Sequence, residues 1–207
     1  MTREQPGYAR AWDVDSGAAD APGGAGGPAP PERPHLVLVG LPGAGKSTVG
    51  ALAASSLGSE FLDFDVEIQL RTRLSIGELF AQIGEPAFRE MEHELTREVL
   101  AKPAMVIAPG GGWVTNPANL ALVRPAARLI HLKVGVDKAL ERLGNAAATR
   151  PLLAVKDPRK ALAGLRSARE PIFHREADAE IDTEVLDPQS VTSAIIALAA
   201  TWGWPVG

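Results

Sequence analysis

Three observations predict an α/β fold, in which helices flank a central parallel sheet built around a phosphate-binding loop. From Pro34 onward, short apolar runs alternate with longer helical stretches, as repeated βα units do. The run Leu36-Val37-Leu38-Val39 feeds directly into Gly40-Leu41-Pro42-Gly43-Ala44-Gly45-Lys46-Ser47, which is G-x-x-x-x-G-K-S. Polar and glycine-rich groups then recur where later strands end, Asp63 and Gly110 among them. That is the edge at which an open parallel sheet binds ligands.

The first strand is expected over 35–40 and its helix over 46–57. Glycines let the intervening loop fold back so that its N–H groups, including those of Gly43, Ala44 and Gly45, converge on phosphate oxygens. Lys46 puts a point charge on β- and γ-phosphates, and the Ser47 hydroxyl is suited to Mg²⁺. Thr48 begins a helix whose N-terminus also favours an anion.

The second strand, 61–63, runs into Asp63-Phe64-Asp65. Two carboxylates at i and i+2 point the same way if the strand continues. Asp65 would otherwise cap the helix expected over 64–73. The spacing leaves cap and site both open. Helices follow over 75–82, with Ser75-Ile76-Gly77-Glu78 reading as a capping box, and over 85–101, where Pro86 suits a first turn. Arg89 and Glu92 share a helix face at i, i+3. Spacing alone favours a surface ion pair over an arginine presented to a carboxylate.

A buried-type strand over 104–108 ends in Pro109 and Gly110-Gly111-Gly112. Three glycines suggest a close approach to the backbone, against a merely flexible turn. A helix over 116–123, a strand over 128–133 and a helix over 136–143 continue the alternation. Arg150-Pro151-Leu152-Leu153 follows the small-residue stretch 144–149, as a mobile lid carrying one arginine would; a solvated loop arginine is the alternative. Arg169 falls near the end of a helix over 158–174, where a cation complements the dipole without a ligand. A weaker strand over 179–182 and a helix over 188–202 complete the chain.

Residues 1–33 read as a separate Gly/Ala/Pro-rich tail, too poor in apolar surface to order itself. Trp12 is its one large anchor. Residues 34–207 form the expected folded unit. The net charge of −4 and the lack of a basic block argue against nucleic acid. No apolar run is long enough to cross a membrane. Absence of cysteine excludes disulfides and thiolate metal sites and fits a reducing cytoplasm.

Taken together, the phosphate loop, Asp63-Phe64-Asp65, Gly84-Glu85-Pro86-Ala87-Phe88-Arg89-Glu90-Met91-Glu92, Gly110-Gly111-Gly112, Arg150-Pro151-Leu152-Leu153 and Arg169-Glu170-Pro171-Ile172-Phe173 resemble the shikimate kinase family from about Pro34 to Ala200. The resemblance implies a three-layer P-loop kinase fold with a mobile lid and a helical substrate-binding region. It implies phosphorylation of the 3-hydroxyl of shikimate by ATP and Mg²⁺, in a monomeric cytoplasmic enzyme with no nucleic-acid or membrane partner. On it, Lys46 contacts the β- and γ-phosphates, and Ser47 and Asp63 hold Mg²⁺. Asp65 orients or deprotonates the attacking hydroxyl. Arg89 and Arg169 clamp the carboxylate, with Glu92 fixing Arg89. Gly110, Gly111 and Gly112 approach the substrate. Arg150 neutralises charge from the lid. Arg142 stacks on adenine, near a loop at Pro188. A kinase for another small molecule such as gluconate, or a ligand-sensing domain without catalysis, are the alternatives. Pro109, Trp113 and Phe173 depart from the family pattern. Pro109 removes a donor but leaves the three glycine N–H groups. Trp113 stands where a small residue is usual and is expected to pack over the site or narrow it. Phe173 loses only a hydroxyl relative to tyrosine.

Overall fold

The structure, a computed structural model, describes residues 32–205. Of the tail read over residues 1–33, residues 1–31, with Trp12 as anchor, lie outside the described residues, while Arg33 packs on Trp204. Five strands form one parallel sheet: β1 (His35–Val39), β2 (Phe61–Asp63), β3 (Val106–Ala108), β4 (Ala127–Lys133) and β5 (Ala179–Asp182). Their order is β2-β3-β1-β4-β5. All five residues of β1 are buried. Successive side chains of a strand point to opposite faces, so both faces of the central strand are covered. That is the situation in which a strand reads as a continuous apolar run.

Among the described residues, seven helices flank the sheet: α1 (Lys46–Ser56), α2 (Phe64–Thr72), α3 (Ile76–Leu100), α4 (Pro117–Val123), α5 (Val136–Leu143), α6 (Pro158–Glu176) and α7 (Pro188–Thr201). α1 packs on α7, while α6 packs on β4 and α5. Asp187 starts α7, its carboxylate accepting from the N–H groups of Gln189 and Ser190. Ser75 starts α3 with the capping box expected of it: its hydroxyl accepts from Glu78 N, and its own N–H donates to Glu78 Oε2 at 2.7 Å. The two helices expected on either side of residue 84 form one element bent at Gly84, whose φ of 77° and ψ of 168° no side-chain-bearing residue adopts readily.

β1 lies between β3 and β4, so the chain leaves its carboxyl end with one neighbour reached by each direction of winding. This is the switch point where open α/β sheets bind ligands. The loop leaving β1 is held low against α5. Gly43 has φ +83°, and a Cβ there would lie 2.5 Å from the Ala139 carbonyl oxygen. At the opposite end of β1, Trp204 is buried; its indole N–H donates to Pro34 O at 2.9 Å, and the Arg33 guanidinium stacks 4.4 Å over its ring.

Candidate active site

The phosphate loop closes on itself through Lys46. Its ammonium donates to the carbonyls of Gly40 (2.9 Å) and Leu41 (3.1 Å). Its pKa is lowered to about 8, by burial first and then by Arg150, against the pull of Asp65 and Asp63. A cavity of about 370 Å³ opens over the loop. Gly43 through Thr48 form its floor, and Arg142, Thr183 and Pro188 stand on its far wall. Arg142 is fixed there by donating to Thr183 Oγ1 (3.1 Å) and to the Thr183 carbonyl, while the Thr183 hydroxyl donates to Lys133 O (2.8 Å). Pairing through Thr183 orients the guanidinium against the cavity.

Asp63 and Asp65 both line this cavity, but not by the expected geometry. The strand stops at Asp63 and a helix starts at Phe64, so i, i+2 alternation does not apply. The cap is Asp63, not Asp65: Asp63 Oδ1 accepts from Val66 N at 3.3 Å. Its other oxygen accepts from Ser47 Oγ at 2.5 Å. Cap and site roles are thus divided between the two oxygens of one carboxylate. Asp65 sits in the first turn of α2. Burial and then the Asp63 charge raise its pKa, while Arg150, Lys46 and Arg89 pull it down.

A second cavity of about 310 Å³ adjoins the first, and Ser47, Asp63, Asp65, Gly110 and Arg150 are common to both. Arg89 lies on its wall, donating to Glu92 (2.6 Å) and Glu85 (2.7 Å), with its Cζ 5.5 Å from the Phe88 ring. Glu92 is 0 % exposed, so the pair is no surface bridge. One Glu92 oxygen, Oε1, has no hydrogen-bond partner among the described residues. Burial raises the Glu92 carboxyl to about 7, against the opposing pull of Arg89. The glycine turn presses on this pair. A Cβ on Gly110 would lie 2.5 Å from Glu92 Oε1, and one on Gly112 would run into the Arg89 guanidinium.

Arg169 faces the same cavity from α6. It stands well inside that helix rather than near its end, so a helix-dipole role does not account for it. It is 5 % exposed. Its pKa is lowered to about 10 by burial and by Arg89. No described residue hydrogen-bonds its side chain or stands within ion-pair distance. Two guanidinia, one of them unanswered, therefore converge on a concave space beside the phosphate loop. Such an arrangement suits a carboxylate.

Arg150 stands between the cavities, 3.8 Å from Asp65 Oδ2. Its segment is tied into the core by Leu153, which is buried, with Leu153 N donating to Arg150 O at 2.8 Å. The stretch before it, read as loose, forms a 3₁₀ turn over Gly144–Ala147. Trp113 corrects another expectation. It is buried, lines neither cavity, and donates its indole N–H to Thr96 Oγ1 at 2.8 Å. Sequence reasoning missed Thr183 and Gln69. Thr183 directly follows β5, and the strand-end rule that picked out Asp63 points to it equally. No sequence signal marks Gln69, which lines the second cavity.

Comparison with known proteins points to one family. A family model described as shikimate kinase matches residues 42–200. A shikimate kinase of Pseudomonas entomophila is 39% identical over 162 residues, covering 78% of this chain and 94% of the relative. A solved shikimate kinase from Acinetobacter baumannii, in complex with shikimate, superposes with a TM-score of 0.79 at 33% identity, covering 84% of this chain and 97% of that one. A gluconokinase from Sinorhizobium meliloti superposes with a TM-score of 0.55 at 14% identity, covering 83% and 94%; at that identity the likeness is one of fold.

Proposed function

The chain belongs to the shikimate kinase family, and on that premise we propose that it transfers the γ-phosphoryl group of ATP to the 3-hydroxyl of shikimate. The observation that carries this reading is Arg169, a buried guanidinium with no ion-pair partner among the described residues, facing a cavity that opens onto the phosphate loop. In this reading Arg169 and Arg89 take the shikimate carboxylate, and Glu92 holds Arg89. Gly110, Gly111 and Gly112 bring backbone to the ring.

ATP lies in the first cavity, with its phosphates on the backbone N–H groups of Gly43 to Thr48 and on Lys46. Its base lies between Arg142 and the Pro188 loop. In the reaction the shikimate hydroxyl oxygen forms a bond to the γ-phosphorus. The bond from that phosphorus to the bridging oxygen breaks, and ADP leaves with the electron pair. The hydroxyl proton passes to Asp65, whose raised pKa makes it a better acceptor than an exposed aspartate. Little covalent work is asked of the protein; positioning and charge neutralisation do most of it. Arg150, reaching both cavities, meets the charge on the moving phosphoryl group.

Ser47 and Asp63 fit Mg²⁺. They are hard oxygen donors already in contact, and a cation that keeps most of its waters needs only one or two such ligands. When bound, Mg²⁺ supplies neutralisation of phosphate charge.

The test is a coupled ADP-release assay with ATP and Mg²⁺, run with shikimate, with gluconate and with neither. Shikimate-dependent release is expected. Equal turnover of gluconate would overturn the substrate assignment.

A further inference from the structure

The glycine turn runs directly into Trp113, and Trp113 is bolted to α3. Its indole N–H donates to Thr96 Oγ1 at 2.8 Å, and the Thr96 hydroxyl donates to the carbonyl of Glu92 at 2.7 Å. Trp113 and Thr96 are each 1 % exposed, so no water competes for these groups. A second bolt lies alongside. Asn119, buried on α4, donates to Trp113 O at 3.1 Å, and its Oδ1 meets His93 Nδ1 at 2.7 Å. Positions 92, 93 and 96 of α3 are thereby tied to one turn. The turn is internally stiff as well: Trp113 N donates to Gly110 O and Thr115 N to Gly112 O, both at 3.0 Å.

Spacing here has little tolerance. Gly110 and Gly112 sit so close to Glu92 and Arg89 that a Cβ on either would push the Glu92 carboxylate or the Arg89 guanidinium out of place. Movement of the turn toward α3 produces a collision, and movement away loosens the wall behind Arg89. We propose that Trp113 and Thr96 act as a positioning pin. The pin sets the spacing between the glycine turn and the Arg89–Glu92 pair, and so sets affinity for the carboxylate-bearing acceptor without touching it. This rests on the function proposed above. A mere core filler would carry the same bulk but would not need the indole N–H to find a hydroxyl on the helix that carries Arg89.

Four variants separate positioning from packing: Thr96→Val, Trp113→Phe, the two combined, and Thr96→Ser. For each, the KM for shikimate, the KM for ATP and the thermal midpoint are measured. Thr96→Val keeps the shape but strands a buried donor, so the midpoint falls. The shikimate KM is expected to rise about fivefold, the worth of one buried hydrogen bond, with the ATP KM held within about twofold. The double variant removes both polar partners but leaves a cavity where the indole stood, so its midpoint falls by less than the two single losses summed while its shikimate KM stays raised. Thr96→Ser restores both. A shikimate KM at the wild-type value in the double variant would overturn the pin. So would an unchanged KM in Thr96→Val beside an active wild type. Absence of shikimate turnover in the wild type would overturn the proposed function and the pin together.

Discussion

A guanidinium largely withdrawn from water with no carboxylate within ion-pair distance weakens the fold that holds it, and among the described residues Arg169 is such a group, Glu85 and Glu92 acting on it only at longer range. Replacing it by methionine, of similar length, is expected to raise the thermal midpoint while raising the shikimate KM at least about tenfold, as loss of a charged hydrogen bond does. Steady-state kinetics beside a melting curve checks both halves. Glu92 makes a pH prediction. Its folded-state pKa of about 7 lies above the ordinary 4.5, so the folded protein holds this proton where the unfolded chain has lost it. Stability from that source is fully present below about pH 4.5 and is lost as pH rises through about 7. Glu92→Gln is expected to flatten this part of a melting profile taken from pH 4.5 to 8. Lys46 and Ser47 were legible because their chemistry is contiguous in sequence. The burial of Glu92 was not, because i, i+3 spacing is the same on a surface as in a core. The cap was expected at Asp65 and falls at Asp63 for a local reason: where a strand ends decides which of two neighbouring carboxylates becomes the cap.

Elements were read more easily than their ends. Strands β2 and β5 and helix α5 fall at their expected bounds, and the other helix ends, the Gly84 junction apart, within two residues of theirs; capping residues and prolines mark the starts of α4, α6 and α7 in the sequence. The Gly84 bend joins two expected helices into one element. Gly84 marked a break, but no local signal says that the second helix continues from the first at a fixed angle. That angle matters, because the segment after the bend carries both Arg89 and Glu92. A Cβ at Gly84 meets only Pro86 Cδ, at 3.8 Å, so Gly84→Ala acts through backbone strain and not collision. It is expected to cost about 1–3 kcal/mol, seen as a lower urea midpoint, and to raise the shikimate KM more than the ATP KM.

At the scale of the molecule, the alternation of strands and helices and the phosphate loop announced a covered parallel sheet. Strand order was not legible, since nothing in β3 itself says that it inserts between β1 and β2. That insertion pairs Asp63 with Ala108 and so brings the acidic helix start beside the glycine turn. The Arg142–Thr183 contact, 41 residues apart, likewise depends on β5 lying next to β4.

The clasp of Trp204 on Pro34 and Arg33 has a consequence for how this protein can be rewired. It brings the first and last turns of the folded unit side by side at the foot of β1. The phosphate loop leaves the head of that strand, about 16 Å away. Residues 33–204 are in effect a ring with one missing link, and the gap faces away from the chemistry. Joining the ends with a short glycine-serine bridge and cutting instead at the exposed Lys102-Pro103 corner should give a circular permutant that keeps its turnover. A cargo domain spliced into the gap should ride along without blocking either substrate.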